Sequence, residues 1–174
     1  MIKYYIFIVM IKFIYYICIY IVGEENMREE KKREIEEIAK QILGAMQPSF
    51  ADYHPPEGEF LVRKKEEAAL AFVNTVWSTP AAMVLYAAPS LGLNYPIGGP
   101  TLRVYRKKGK GSVYRVCLDL EYEKDILLIF TAYWDIEVER RGKGKKRTYY
   151  CRLIDYGVEV FKWGADQIRP IIKL

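Results

Sequence analysis

The sequence predicts an α+β domain: two amphipathic helices packed on a four- to five-stranded antiparallel meander sheet, with an N-terminal hydrophobic segment ahead of them. Three observations lead there. Between Glu24 and Trp77, apolar residues recur at three- and four-residue spacing in two stretches, the periodicity of amphipathic helices. From Thr101 to Trp163 the period changes to alternation, broken by short turns, which is the pattern of antiparallel hairpins. The length of 174 residues, with 51% hydrophobic and 28% charged, suits one packed domain plus an appendage.

Residues 1–26 form the appendage and 27–174 the domain. Ile2 to Val22 is almost wholly apolar, broken only by Lys3 and Lys12. As a helix it is long enough to cross a hydrocarbon core about 30 Å thick. It lacks a small-residue cleavage site, so a retained anchor is expected over a cleaved signal peptide. Lys12 opposes insertion by about 2.5–3.5 kcal/mol. The stretch also holds eight Ile and five Tyr but no Leu and no Ala, the residues that A/T-rich DNA encodes. Two readings therefore stand: a membrane anchor, or a mis-assigned gene start with Met27 as the first residue. The chain is single-pass and membrane-anchored on the first, cytoplasmic on the second.

The first predicted helix covers Glu24–Met46. Ile35, Ile38, Ile42 and Met46 make its apolar stripe, and Gly44 and Pro48 end it. Gln47–Glu59 reads as a loop and contains His54, the one histidine. The second helix covers Arg63–Trp77, with Ala69, Leu70, Phe72, Val73, Val76 and Trp77 on one face, and stops before Pro80. Ala81–Ala88 is an apolar run that periodicity cannot assign to strand or buried helix. Pro89–Pro100 reads as a loop. Its Gly98-Gly99 lacks the Lys-Ser/Thr ending of a phosphate loop.

The predicted strands are Thr101–Arg106, Ser112–Tyr122, Ile126–Glu139 and Arg147–Asp155, with a fifth at Val158–Trp163 after Tyr156-Gly157. Short turns make neighbours antiparallel, hence a meander. Pairing across the 123–125 turn sets Leu120 against Leu128, Leu118 against Phe130 and Val116 against Ala132, all on one face. The first hairpin sets Val104 against Tyr114. On the opposite face this register places Arg103 across from Arg115, and Arg115 across from Tyr133, with Asp135 one diagonal step away and Arg152 opposite Asp135. Directly opposed arginines repel unless an anion or a carboxylate lies between them.

Charge is uneven. Residues 1–100 carry 10 basic and 12 acidic side chains, whereas residues 101–174 carry 17 and 10. In a meander the first and third turns fall at one end, and both are basic. Arg106, Lys107, Lys108 and Lys110 lie on one; Arg140, Arg141, Lys143, Lys145, Lys146 and Arg147 lie on the other. With Tyr105, Tyr149 and Tyr150 beside them, these ten side chains have the composition of a nucleic-acid-binding rim, so RNA or another polyanion is the expected partner. Ordinary solvated turns, in which Lys blunts sheet edges, have the same composition. A basic rim facing lipid headgroups or a protein partner, tethered by residues 2–22, is the non-enzymatic alternative. Cys18, Cys117 and Cys151 form no C-x-x-C pair, and one histidine cannot complete a usual zinc set, so reduced thiols and neither metal nor cofactor are expected. Asn and Gln are scarce at three each beside abundant Lys, Glu, Arg, Ile and Tyr, a balance found in proteins from hot environments.

The helix ending in Trp77-Ser78-Thr79-Pro80, then Arg103-Val104-Tyr105, Tyr114-Arg115-Val116-Cys117-Leu118-Asp119 and Ile129-Phe130-Thr131-Ala132-Tyr133, form a pattern over roughly Arg63 to Asp155. Two helices before such a meander resemble the barnase/EndoU/colicin/RelE-like ribonuclease superfamily. The resemblance implies metal-independent RNA cleavage, as by a toxin or defence element, on the sheet face. Arg103, Arg115, Tyr133, Asp135 and Arg152 are the candidate catalytic set. The arginines would stabilise the developing phosphorane charge, and Asp119, Asp135 or His54 would take the 2′-hydroxyl proton.

Overall fold

The computed structural model describes residues 28–47, 57–96, 99–109, 111–162 and 170–174. The expectations for residues 2–22, His54, Lys110 and Trp163 lie outside the described residues. The chain divides into two compact units, Met1–Glu37 and Ile38–Leu174.

Helix α1, residues 28–46, runs across that boundary. Ile35, Ile38, Ile42 and Met46 are all buried, the stripe their spacing predicts. Within the larger unit, α2 (Lys65–Val76) starts where the Glu67 carboxylate accepts the Arg63 backbone N–H at 3.1 Å. That bond ties Arg63, the residue before the N-cap Lys64, to the first turn of the helix. Ala68, Ala69, Phe72 and Val73 are buried as α2 packs over the sheet. The undecided apolar run is helical: α3 spans Ser78–Ala87, with Pro80 in its first turn, where a missing N–H costs nothing. Among the described residues no single helix is long and apolar enough to cross a bilayer; α2 and α3 reach that composition only as a pair bent by 72°.

The sheet is antiparallel and seven-stranded: β1 (Glu57–Phe60), β2 (Leu93–Asn94), β3 (Leu102–Arg106), β4 (Val113–Tyr122), β5 (Leu128–Arg141), β6 (Thr148–Lys162) and β7 (Ile172–Lys173). The predicted meander is its centre, β3-β4-β5-β6. The three additions are short edge pieces: β2 beside β4, and β1 and β7 beside β6. β1 begins in the predicted 47–59 loop and β2 lies in the predicted 89–100 loop.

Two corrections bear on the site. First, each predicted pairing slides by two residues. Leu120 faces Phe130, Leu118 faces Ala132, and Val104 faces Val116. Between β4 and β5 the cause is turn length. Asp125 accepts the Leu127 N–H on its side chain and the Leu128 N–H on its carbonyl, so Ile126 and Leu127 belong to the turn and stay exposed. Because strand side chains alternate, an even slide keeps every residue on its face. The apolar face of Val116, Leu118, Leu120, Phe130, Ala132 and Trp134 is thus as predicted and fully buried. Second, the predicted fourth and fifth strands are one strand, β6. Asp135 pairs with Asp155 but Ile136 pairs with Leu153, so Ile154 is an extra residue in a bulge. The bulge switches parity. Tyr149, Cys151 and Leu153 bury before it, and Val158 and Val160 after it, all toward the same core.

Candidate functional site

The slide by two residues dissolves the row of opposed arginines. Arg103 pairs with Cys117, Tyr105 with Arg115, Arg115 with Asp135, and Cys117 with Tyr133. Arg152 pairs with Glu137, not with Asp135. The three arginines sit in three separate ion pairs.

Arg115 is at the centre and is only 5% exposed. Its Nε donates to Asp135 Oδ1 at 2.8 Å and its Nη2 to Asp135 Oδ2 at 3.0 Å, a bidentate fork. Its Nη1 donates to Glu159 Oε2 at 3.0 Å. The guanidinium carbon lies 3.8 Å from the centre of the Tyr133 ring, so the flat face is occupied as well. Lys107 Nζ donates to Asp135 Oδ2 at 2.8 Å, and Lys173 Nζ stands 3.8 Å from Glu159 Oε1. Asp135 and Glu159 are 1% and 6% exposed, so each buried carboxylate has its cations at hand. The Tyr133 hydroxyl donates to Asp155 at 3.3 Å, and burial raises its phenol well above the ordinary value.

The outer pairs are looser. Arg103 Nε donates to Asp119 Oδ2 at 3.1 Å with its side chain 55% exposed, and Thr131 donates to the same carboxylate at 2.7 Å. Arg152 holds Glu137 beside Glu57, Glu139 and Tyr150 around an open cavity of about 230 Å³. Burial pushes the Cys117 and Cys151 thiols up to about 12, leaving both protonated at neutral pH.

Burial alone would raise the Asp135 pKa, but the hydrogen bonds and charges of Arg115 and Lys107 outweigh it and hold the carboxyl below its ordinary value. A depressed carboxyl stabilises the fold above the unfolded-state pKa of about 3.9, and that contribution disappears as pH falls through the folded-state pKa. The gap in unfolding midpoint between the natural chain and Asp135→Asn should therefore be widest at neutral pH and close in acid, below about pH 4. A gap that persists unchanged at pH 2 would contradict this account.

The basic turns do lie at one end of the meander. β5 runs on from Glu137, opposite Val113, to Arg141, so the second basic turn stands roughly 13 Å beyond the first. Their side chains divide by partner. Lys107 is drawn into the buried network, and Arg106 Nε donates to the Gly111 carbonyl at 2.9 Å. Arg141 stacks on the Tyr150 ring at 3.9 Å and lies 3.8 Å from Glu139. Arg147 lies 5.7 Å from the Tyr149 ring centre and donates to the Arg63 carbonyl at 3.1 Å, which Tyr149 Oη also reaches at 3.4 Å. Lys108, Arg140, Lys143, Lys145 and Lys146 are exposed.

Arg63, Glu159 and Lys173 are absent from the residues predicted from sequence. Glu159 carried a signal: it is the lone acid in the alternation Val158-Glu159-Val160, opposite the apolar face. Arg63, expected as the first residue of the second helix, lies on the connection before it, and Lys173 lies on a two-residue strand too short for a period.

No protein-family model matches the chain, and neither a curated protein nor a solved structure matches it.

Proposed function

We propose that the chain binds nucleic acid, with RNA as the expected form, through the basic rim and not through the arginine-bearing face of the sheet. The observation that carries this reading is the division of the cations. Those on the sheet face are held by carboxylates, whereas Lys108, Lys143, Lys145 and Lys146 on two turns, and Arg140 near the end of β5, are exposed at one end of the meander. Exposed cations gathered at one rim release counterions when they meet phosphates, and this drives sequence-independent binding. Tyr149 and Tyr150 brace Arg147 and Arg141 within the same rim, reducing the freedom lost on contact. The ribonuclease-like sequence pattern favours RNA as the polyanion. The reading stops at binding, because Arg115 is 5% exposed, with three of its N–H donors held by Asp135 and Glu159 and one flat face on Tyr133.

Titration of labelled RNA with the full chain should show a log–log salt slope at least as steep as about −3 to −4, the share of the five exposed cations alone. Replacing Lys143, Lys145 and Lys146 with alanine should flatten that slope by about 2 and weaken binding at every salt concentration. Absence of RNA binding at low salt, or a slope untouched by the triple replacement, would overturn the proposal.

A further inference from the structure

Beside the third turn of the meander lies an open cleft of about 470 Å³, lined by Leu61, Val62, Arg63, Gly144, Lys145 and Arg147. Its volume falls within the range of about 300–1,000 Å³ usual for small-ligand sites. Three of its six lining residues are cations and none is a carboxylate, in contrast to the glutamate-lined cavity around Arg152. The fold fixes the Arg147 guanidinium and the Arg63 backbone. Arg147 is tied through Nη2 to the Arg63 carbonyl, over the Tyr149 ring, and Glu67 accepts the Arg63 backbone N–H. Gly144 has φ of +60° with nothing within 4 Å of the position a Cβ would take, so a ligand can approach the backbone there. Leu61 and Val62 are the apolar part of the lining, and Leu61 is 71% exposed.

A lining that combines three cations with the exposed side chain of Leu61 and with Val62 suits a ligand with a phosphate at one end and a flat, weakly polar body at the other. We infer that this cleft seats one nucleotide of an unpaired strand, its phosphate on Arg147, Lys145 and Arg63 and its base against Leu61 and Val62. A duplex presents phosphates but keeps its bases paired and stacked, so it would leave the apolar part of the lining empty. The inference rests on the rim reading and deepens it: the rim supplies attraction to any polyanion, and the cleft supplies preference for single strands. RNA and DNA share the chemistry invoked.

The test uses the full 174-residue chain and three labelled probes of one length: an unpaired RNA, the matching unpaired DNA, and the RNA duplex. At fixed salt, the unpaired strands should bind about tenfold more tightly than the duplex, since base contacts are added to the phosphate term. Leu61 is too exposed for Leu61→Ser to disturb folding, and this variant should remove most of the preference. Lys145→Ala should weaken all three probes. The ratio of unpaired RNA to unpaired DNA binding separates the two sources of that chemistry. Equal or tighter binding of the duplex, or a preference that survives Leu61→Ser, would overturn the cleft while leaving the rim reading in place. Failure of all three probes to bind would overturn both.

Discussion

Arg115→Met is expected to lower the unfolding free energy by about 3–5 kcal/mol, the usual consequence of removing one partner from a buried ion pair. Methionine keeps much of the side-chain volume, so the effect isolates charge. Without the guanidinium, Asp135 retains only Lys107, and Glu159 faces only Lys173 at 3.8 Å. Both carboxylates stay in a site that excludes water almost entirely. Tyr133 also loses the cation over its ring. Urea denaturation of the full chain measures the loss directly through the shift in midpoint. The contrast is Arg152→Met. Its pair with Glu137 has both side chains about half exposed, and solvent screening makes such a pair nearly dispensable. A large shift for Arg115 with almost none for Arg152 is the expected pair of results. Equal shifts would mean that burial of the Arg115 network has no special weight.

Gly157→Ala should cost about 1–3 kcal/mol, the range for overpacking a closed site. An added Cβ would stand 2.3 Å from the Leu174 carbonyl oxygen and 2.8 Å from the Tyr133 hydroxyl. Real Cβ atoms do not approach that closely, so a neighbour must move. One of the two is backbone, and the segment that holds it is tied to β6 by reciprocal bonds: the Val158 N–H donates to Leu174 at 3.1 Å and the Leu174 N–H donates to Val158 at 2.9 Å. The other holds the ring beneath Arg115. The substitution therefore acts on two places at once: the 170–174 segment should loosen from β6, and the Tyr133–Arg115 stack should shift. Hydrogen exchange reads the first effect, with the Val158 and Leu174 amides losing protection beyond what the global destabilisation explains. Full protection of both amides with an unchanged denaturation midpoint would refute the close approach.

Hydrophobic alternation made the faces of the sheet legible because it survives an even slide in register. Val116, Leu118, Phe130 and Ala132 could therefore be assigned to the core without knowing their true partners. The partners depended on one local detail, the five-residue turn organised by Asp125, which alternation does not encode. That detail set Arg115 against Asp135 in place of Tyr133, and the same two-residue slide in the β3–β4 hairpin set Arg103 against Cys117 in place of Arg115. The bulge at Ile154 hid in the same way, since a change of parity looks like the end of one strand and the start of another. The edge strands β1, β2 and β7 are too short for any period, and they form because β4 and β6 offer open edges. The basic turns were legible as composition. Lys107 shows the limit of that reading, because its sequence position matches that of Lys108 while its ammonium is drawn to a buried carboxylate 28 residues away.

The central claim is a separation: the charged face of the sheet holds the fold together, and the basic rim meets the ligand. An amide chemical-shift footprint of the full chain, titrated with an unpaired RNA, tests it most directly. The account predicts shifts concentrated at residues 106–109, 140–149 and 61–63, with the amides of Arg115, Tyr133, Asp135 and Glu159 nearly still. A footprint centred on those four, with the two basic turns unmoved, would contradict it.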